Sequence, residues 1–118
     1  MKSILFLHRK PPHSTLATRE AVDAALASAA FGVETAMLFL DDGVFQIRAG
    51  QNPDRAGLKR TAPMFESLEL YGVEQIYVCA DSLTARNLEP ADLVIPAETV
   101  DADAIRRIMA RFQHILTF

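Results

Sequence analysis

The chain has one cysteine, no tryptophan and two tyrosines in 118 residues. A single thiol excludes an internal disulfide framework and any multi-thiolate metal centre, and the three histidines show no metal-ligand spacing, so neither a metal nor a cofactor is expected. Charge of one sign is also scarce. The formal net charge of −3 gives no general attraction for a phosphate backbone, which argues against direct nucleic-acid binding. Neither a G-x-G-x-x-G nor a Walker sequence occurs, so the turn after the first strand lacks the usual nucleotide cradle. Long apolar runs are missing as well. The run Ile4-Leu5-Phe6-Leu7 is far too short for a signal-peptide core, and no stretch reaches membrane-spanning length, which predicts a soluble, unprocessed, cytoplasmic protein.

Half of the residues are apolar, and a chain of this length can bury roughly two thirds of its unfolded surface, so residues 1–118 are expected to form a single domain. Ser3 to Leu7 reads as a buried first strand, followed by the basic loop Arg9-Lys10-Pro11-Pro12-His13. From Thr15 to Phe31 a helix follows, with Val22, Leu26 and Ala29 on one face, alanines that allow close approach to a sheet, and Gly32 as its stop. Glu34 to Leu40 is the second strand, ended by the turn residues Asp41-Asp42-Gly43. Val44 to Ile47 fits no single class. Arg48 to Arg60 reads as a surface loop, and a helix starting near Pro63 carries Phe65 and Leu68 to a stop at Gly72. Gln75 to Cys79 is the third strand, and Asp81 to Arg86 a short helix with Asp81 or Ser82 as its cap. Leu93-Val94-Ile95 reads as a fourth strand. Asp101 can cap a final helix whose Ile105, Ile108, Met109 and Phe112 share a face, and His114 to Phe118 closes the chain as a strand.

Strands alternating with helices along the whole chain indicate an α/β fold, a three-layer sandwich with a mostly parallel sheet of about five strands. Such sheets bind ligands at the C-terminal edge of their strands. In a flavodoxin-like order 2-1-3, that edge brings together His8 to His13, Asp41-Asp42-Gly43 and Cys79.

Cys79 is the one residue on which thiol chemistry can rest. At a strand-to-helix turn, the N–H groups and partial positive charge of the helix start favour a thiolate, and His8, Arg9, Lys10 or His13 can add an imidazole or a cation. The opposing reading is equally simple. Unpaired cysteines are commonly buried as small hydrophobes, the basic loop can be an ordinary solvated turn, and Asp42-Gly43 can be structural. The aromatic residues Phe39, Phe45, Phe65, Tyr71, Tyr77 and Phe118 read as core or interface, because their spacing makes no exposed base-stacking array.

Several segments taken in order carry a resemblance. They are His13-Ser14-Thr15 before an alanine-rich helix, Asp42-Gly43-Val44-Phe45-Gln46 with Gly50-Gln51, Val78-Cys79-Ala80-Asp81-Ser82-Leu83, and the terminal His114-Ile115-Leu116-Thr117-Phe118. Together they make the chain resemble the TusC (DsrF-like) family of sulfur-relay subunits over nearly its full length, a family with a DsrE-type three-layer sandwich. The resemblance implies a C-type subunit of a hetero-oligomer with B-type and D-type paralogues, which hands persulfide sulfur to a small E-type carrier for 2-thiouridine at the tRNA wobble position. In that family the acceptor cysteine belongs to the D-type chain. Cys79 matches its position, so the resemblance makes Cys79 a persulfide carrier at most in an auxiliary capacity, with His13 as a weak assistant, and makes this subunit mainly architectural. Phe45, Ile47, Met64 or Tyr71 are then the apolar residues available to meet paralogues. Two other readings stay open: a stand-alone flavodoxin-like module that binds a small ligand, and an independently active persulfide-forming enzyme using Cys79.

Overall fold

The computed structural model describes residues 2–11, 17–48, 72–73, 75–93 and 96–118, with side chains at 17–19 left aside. Strands β1 (Ser3–His8), β2 (Glu34–Phe39), β3 (Gln75–Cys79), β4 (Glu98–Val100) and β5 (His114–Thr117) form one sheet in the order β4-β3-β2-β1-β5. Every pairing is parallel. Helices α1 (Ala17–Ala30), α2 (Ala80–Ala85) and α3 (Ala102–Arg111) supply the outer layers, as the alternation of elements predicts.

Two cores lie on the two faces of the sheet. On one face Phe6, Met37, Phe39, Ile76 and Val78 pack with Val22 and Ala25 of α1 and Leu83 of α2. On the other, Leu5, Leu7, Ala36, Leu38 and Val100 meet Phe112 and the Ile105, Ile108 and Met109 side of α3. Residues alternate between these cores because successive side chains of a strand point to opposite faces. The chain leaves α1 through Gly32 at φ 77°, where an added Cβ would meet nothing within 4 Å, so backbone conformation alone selects glycine there. Asp101 caps α3 as its position suggests, its Oδ1 accepting the Ala104 N–H at 2.8 Å.

Three expectations are corrected. The order 2-1-3 is wrong, because β2 lies between β1 and β3, and the reversal of direction falls between β1 and β5. The fourth strand is Glu98–Val100, not Leu93-Val94-Ile95: Leu93 makes only an isolated antiparallel bridge to Arg48, and residues 94–95 lie outside the described residues. Pairing with β3 decides the matter over local apolarity, since Cys79 and Val100 stand side by side in the ladder. Finally, the cap position of α2 is Cys79, with no side-chain cap, so neither Asp81 nor Ser82 serves. The ambiguous stretch after β2 is a 3₁₀ helix over Asp41–Ile47. Ile47 is fully buried in the first core and is no interface residue. Phe45 is half-buried with the Arg48 guanidinium 5.2 Å from its ring centre. The loop expected beyond Arg48, the helix from Pro63, Met64 and Tyr71 lie outside the described residues.

Candidate functional site

The C-terminal ends of β1, β2 and β3 open on one edge, as a parallel sheet requires, and the described parts of the predicted segments, His8 to Pro11, Asp41-Asp42-Gly43 and Cys79, follow or end those strands. What fills the edge differs from expectation. Arg9, immediately after β1, donates from Nε to Asp41 Oδ2 at 2.8 Å. Asp41 follows β2 at φ 52°, a left-handed conformation unusual outside glycine and asparagine, and its N–H donates to Ser82 Oγ at 2.9 Å. Arg86, at the end of α2, donates to Asp42 Oδ1 at 3.1 Å. Two arginines therefore face two carboxylates, and a serine ties the 3₁₀ helix to α2. Of the cations anticipated beside the thiol, Arg9 is engaged by an acid.

Cys79 stands at the head of α2 and is only 9% exposed. Its thiol is free and lies among the buried residues. His8 does not assist it. In the ladder His8 stands beside Phe39, and Phe39 beside Val78, so the imidazole shares their face; Cys79, one residue on, points to the opposite face beside Val100. One intervening strand also separates β1 from β3, which is about 10 Å between strand axes. The imidazole is fully buried, stacked on Phe39 at 4.6 Å and 16° between planes, with Phe118 at 6.2 Å on the same ring system. Burial drives its pKa from 6.5 down to about 3, and a hydrogen bond with Gln46 pulls weakly the other way. His8 is thus a neutral core group. His13 lies outside the described residues.

Grooves of about 340 and 240 Å³ flank Tyr77 on the β3–β4 side, and Cys79 lines neither of them. Among the described residues no group of three or more His, Cys, Asp or Glu is placed to hold a metal ion, and no helix is long and apolar enough to cross a membrane. The ion-paired lock around Asp41 and Ser82 was not foreseen from the sequence. Its local signal was the acidic pair after β2, but the partners Ser82 and Arg86 are 41 and 44 residues away. Ser82→Ala should remove the acceptor of the part-buried Asp41 N–H, costing about 1 kcal/mol by chemical denaturation.

Comparison with known proteins identifies the family and the fold. The model of the DsrE/DsrF-like family matches residues 2–118. Protein TusC of Escherichia coli O157:H7 is 44% identical over 119 residues, and the TusC homologue of Vibrio parahaemolyticus 37% identical over 118, each alignment covering all of both chains. Among solved structures, the YchN protein of E. coli superposes with a TM-score of 0.83 at 18% identity over the whole of both chains. A Methanobacterium thermoautotrophicum protein of unknown function gives 0.72 at 15%, again over the whole of both chains. At such identities these two speak for the fold, which is the α/β sandwich described above. The chain belongs to the DsrE/DsrF-like family and, within it, to the TusC group of sulfur-relay proteins.

Proposed function

We propose that this single-domain chain is the C-type, mainly architectural subunit of a cytoplasmic sulfurtransferase complex that passes persulfide sulfur towards 2-thiouridine at the tRNA wobble position. Its partners are B-type and D-type paralogues, and an E-type carrier lies downstream. The acceptor cysteine belongs to the D-type chain. The observation that carries this division of labour is the burial of Cys79 at an edge whose arginines are already paired with Asp41 and Asp42. A relay cysteine needs an approachable thiolate, and Cys79 is only 9% exposed, while Arg9 and Arg86 of this lock are both engaged by carboxylates. Membership of the TusC group supports the same assignment.

Were this chain to carry sulfur, the step would be simple. The Cys79 thiolate would attack the outer sulfur of a donor persulfide, form a new S–S bond and release the donor thiolate, with His13 as the assisting residue to test. Affinity purification of the tagged chain from its native host tests the proposal. Two related chains of similar size should co-elute in fixed ratio; elution of the chain alone, at 13.0 kDa, would instead favour a stand-alone ligand-binding module.

A further inference from the structure

Strand β5 is exposed along its entire length, although it belongs to an all-parallel sheet whose strands are ordinarily covered on both faces. Leu116 stands beside Phe6 on the α1 face and is 43% exposed, while Ile115 stands beside Leu5 on the α3 face and is 38% exposed. Among the described residues no strand pairs with its outer edge. Phe118 bonds β1 through both backbone groups, donating to the Leu7 carbonyl at 2.8 Å and accepting from the Arg9 N–H at 2.9 Å. By the two-residue period of a strand, Leu116 also faces β1, and the N–H and C=O groups of Ile115 and Thr117 point away from the sheet.

The opposite edge is protected differently. There β4 is only three residues long and carries the exposed Glu98 and Thr99, whereas β5 has no lysine, proline or carboxylate to discourage pairing. We propose that β5 is a self-association edge, on which the β5 strand of a second copy of this chain pairs antiparallel about a two-fold axis through Leu116. That register matches the groups on offer. Ile115 of each copy meets Thr117 of the other, so both outward-facing residues exchange their N–H and C=O groups across the axis. Leu116 meets its own counterpart at the intervening position, where side chains approach more closely, and His114 falls opposite Phe118 on the same face.

Charge allows this pairing. With histidine neutral, β5 carries no charge, so two copies meet without like-charge repulsion. An isologous contact needs the same patch to satisfy itself, and β5 does so in backbone and side chains alike. A strand pair of four residues is small against the roughly 1,600 Å² of a standard interface, so the association is weak and concentration-dependent.

Sedimentation of the purified full-length chain over a wide concentration range tests this. The apparent mass should rise from 13.0 kDa towards twice that value. Amide exchange at Ile115 and Thr117 should slow by about tenfold once about nine-tenths of the chain is paired, while Leu116 and Phe118 are protected at every concentration. Leu116→Lys, which sets two ammonium groups face to face, should abolish the mass increase, and Ile115→Lys, opposite threonine, should weaken it. A chain mass that never rises would overturn the proposal, as would a dimer that survives Leu116→Lys. So would protection of Ile115 and Thr117 that requires a paralogue, since the edge would then belong to a different partner.

Discussion

Gly43→Ala is expected to leave little folded protein. A Cβ on Gly43 would lie 1.8 Å from the His8 carbonyl oxygen, 2.4 Å from the carbonyl carbon and 3.0 Å from the Arg9 nitrogen. All three atoms are backbone, and none can rotate aside. The strand that holds them cannot retreat, because β1 is paired on both sides and the His8 carbonyl accepts the Leu40 N–H at 3.0 Å. Relief must come from the 3₁₀ helix itself, which would drag Val44 and Ile47 out of the first core and loosen the Asp41–Ser82 link. We expect a loss of about 3 to 5 kcal/mol, a large part of the about 5 to 15 kcal/mol that holds a typical domain folded. Equilibrium denaturation of any soluble fraction measures it. A loss below about 1 kcal/mol would mean that the close approach of Gly43 to β1 is not part of the native fold.

The second large effect is a dependence of stability on pH that His8 creates. Its pKa is lowered from 6.5 to about 3 by burial, so the unfolded chain binds a proton that the folded chain refuses anywhere between those values. Stability is therefore complete above pH 6.5 and falls as the pH drops towards about 3. Each pH unit inside that window removes about 1.4 kcal/mol, which comes to about 2 kcal/mol between pH 7 and pH 5. His8→Phe keeps a ring between Phe39 and Phe118 and removes the titration, at the cost of a pH-independent offset from the lost hydrogen bond to Gln46. Unfolding free energies of both proteins at pH 7 and pH 5, above the carboxylate range, should show the excess loss only in the parent chain. Equal losses in both would contradict a neutral, buried His8.

Local elements were legible where one periodicity had no competitor. Gln75 to Cys79 reads as a strand and is one, and the Asp101 cap and apolar stripe of α3 were visible in spacing alone. Strand order was not legible. Alternation of strands and helices makes the sheet parallel, but it leaves open which side of β1 each strand joins, and β2 and β3 continue outward on one side while β5 returns to the other. The fourth strand misled for a related reason, since the β-rich run at Leu93 lost to Glu98–Val100, whose register places Val100 in the second core. At the candidate site the convergence of three segments was predictable, whereas its meaning was not. Arg9 looks like a cation awaiting an anion until the fold supplies Asp41. Likewise His8 looks like a base until the pleat turns it away from Cys79.

As proposed, this chain supports the relay without carrying sulfur on its own thiol. Cys79→Ser introduced at the native locus tests it most directly, with wobble 2-thiouridine measured by mass spectrometry of digested tRNA and the abundance of the assembled complex measured alongside. Thiolation at the parental level, with the complex intact, is the predicted result. Loss of 2-thiouridine while the complex still assembles would place the relay sulfur on Cys79 and contradict the account.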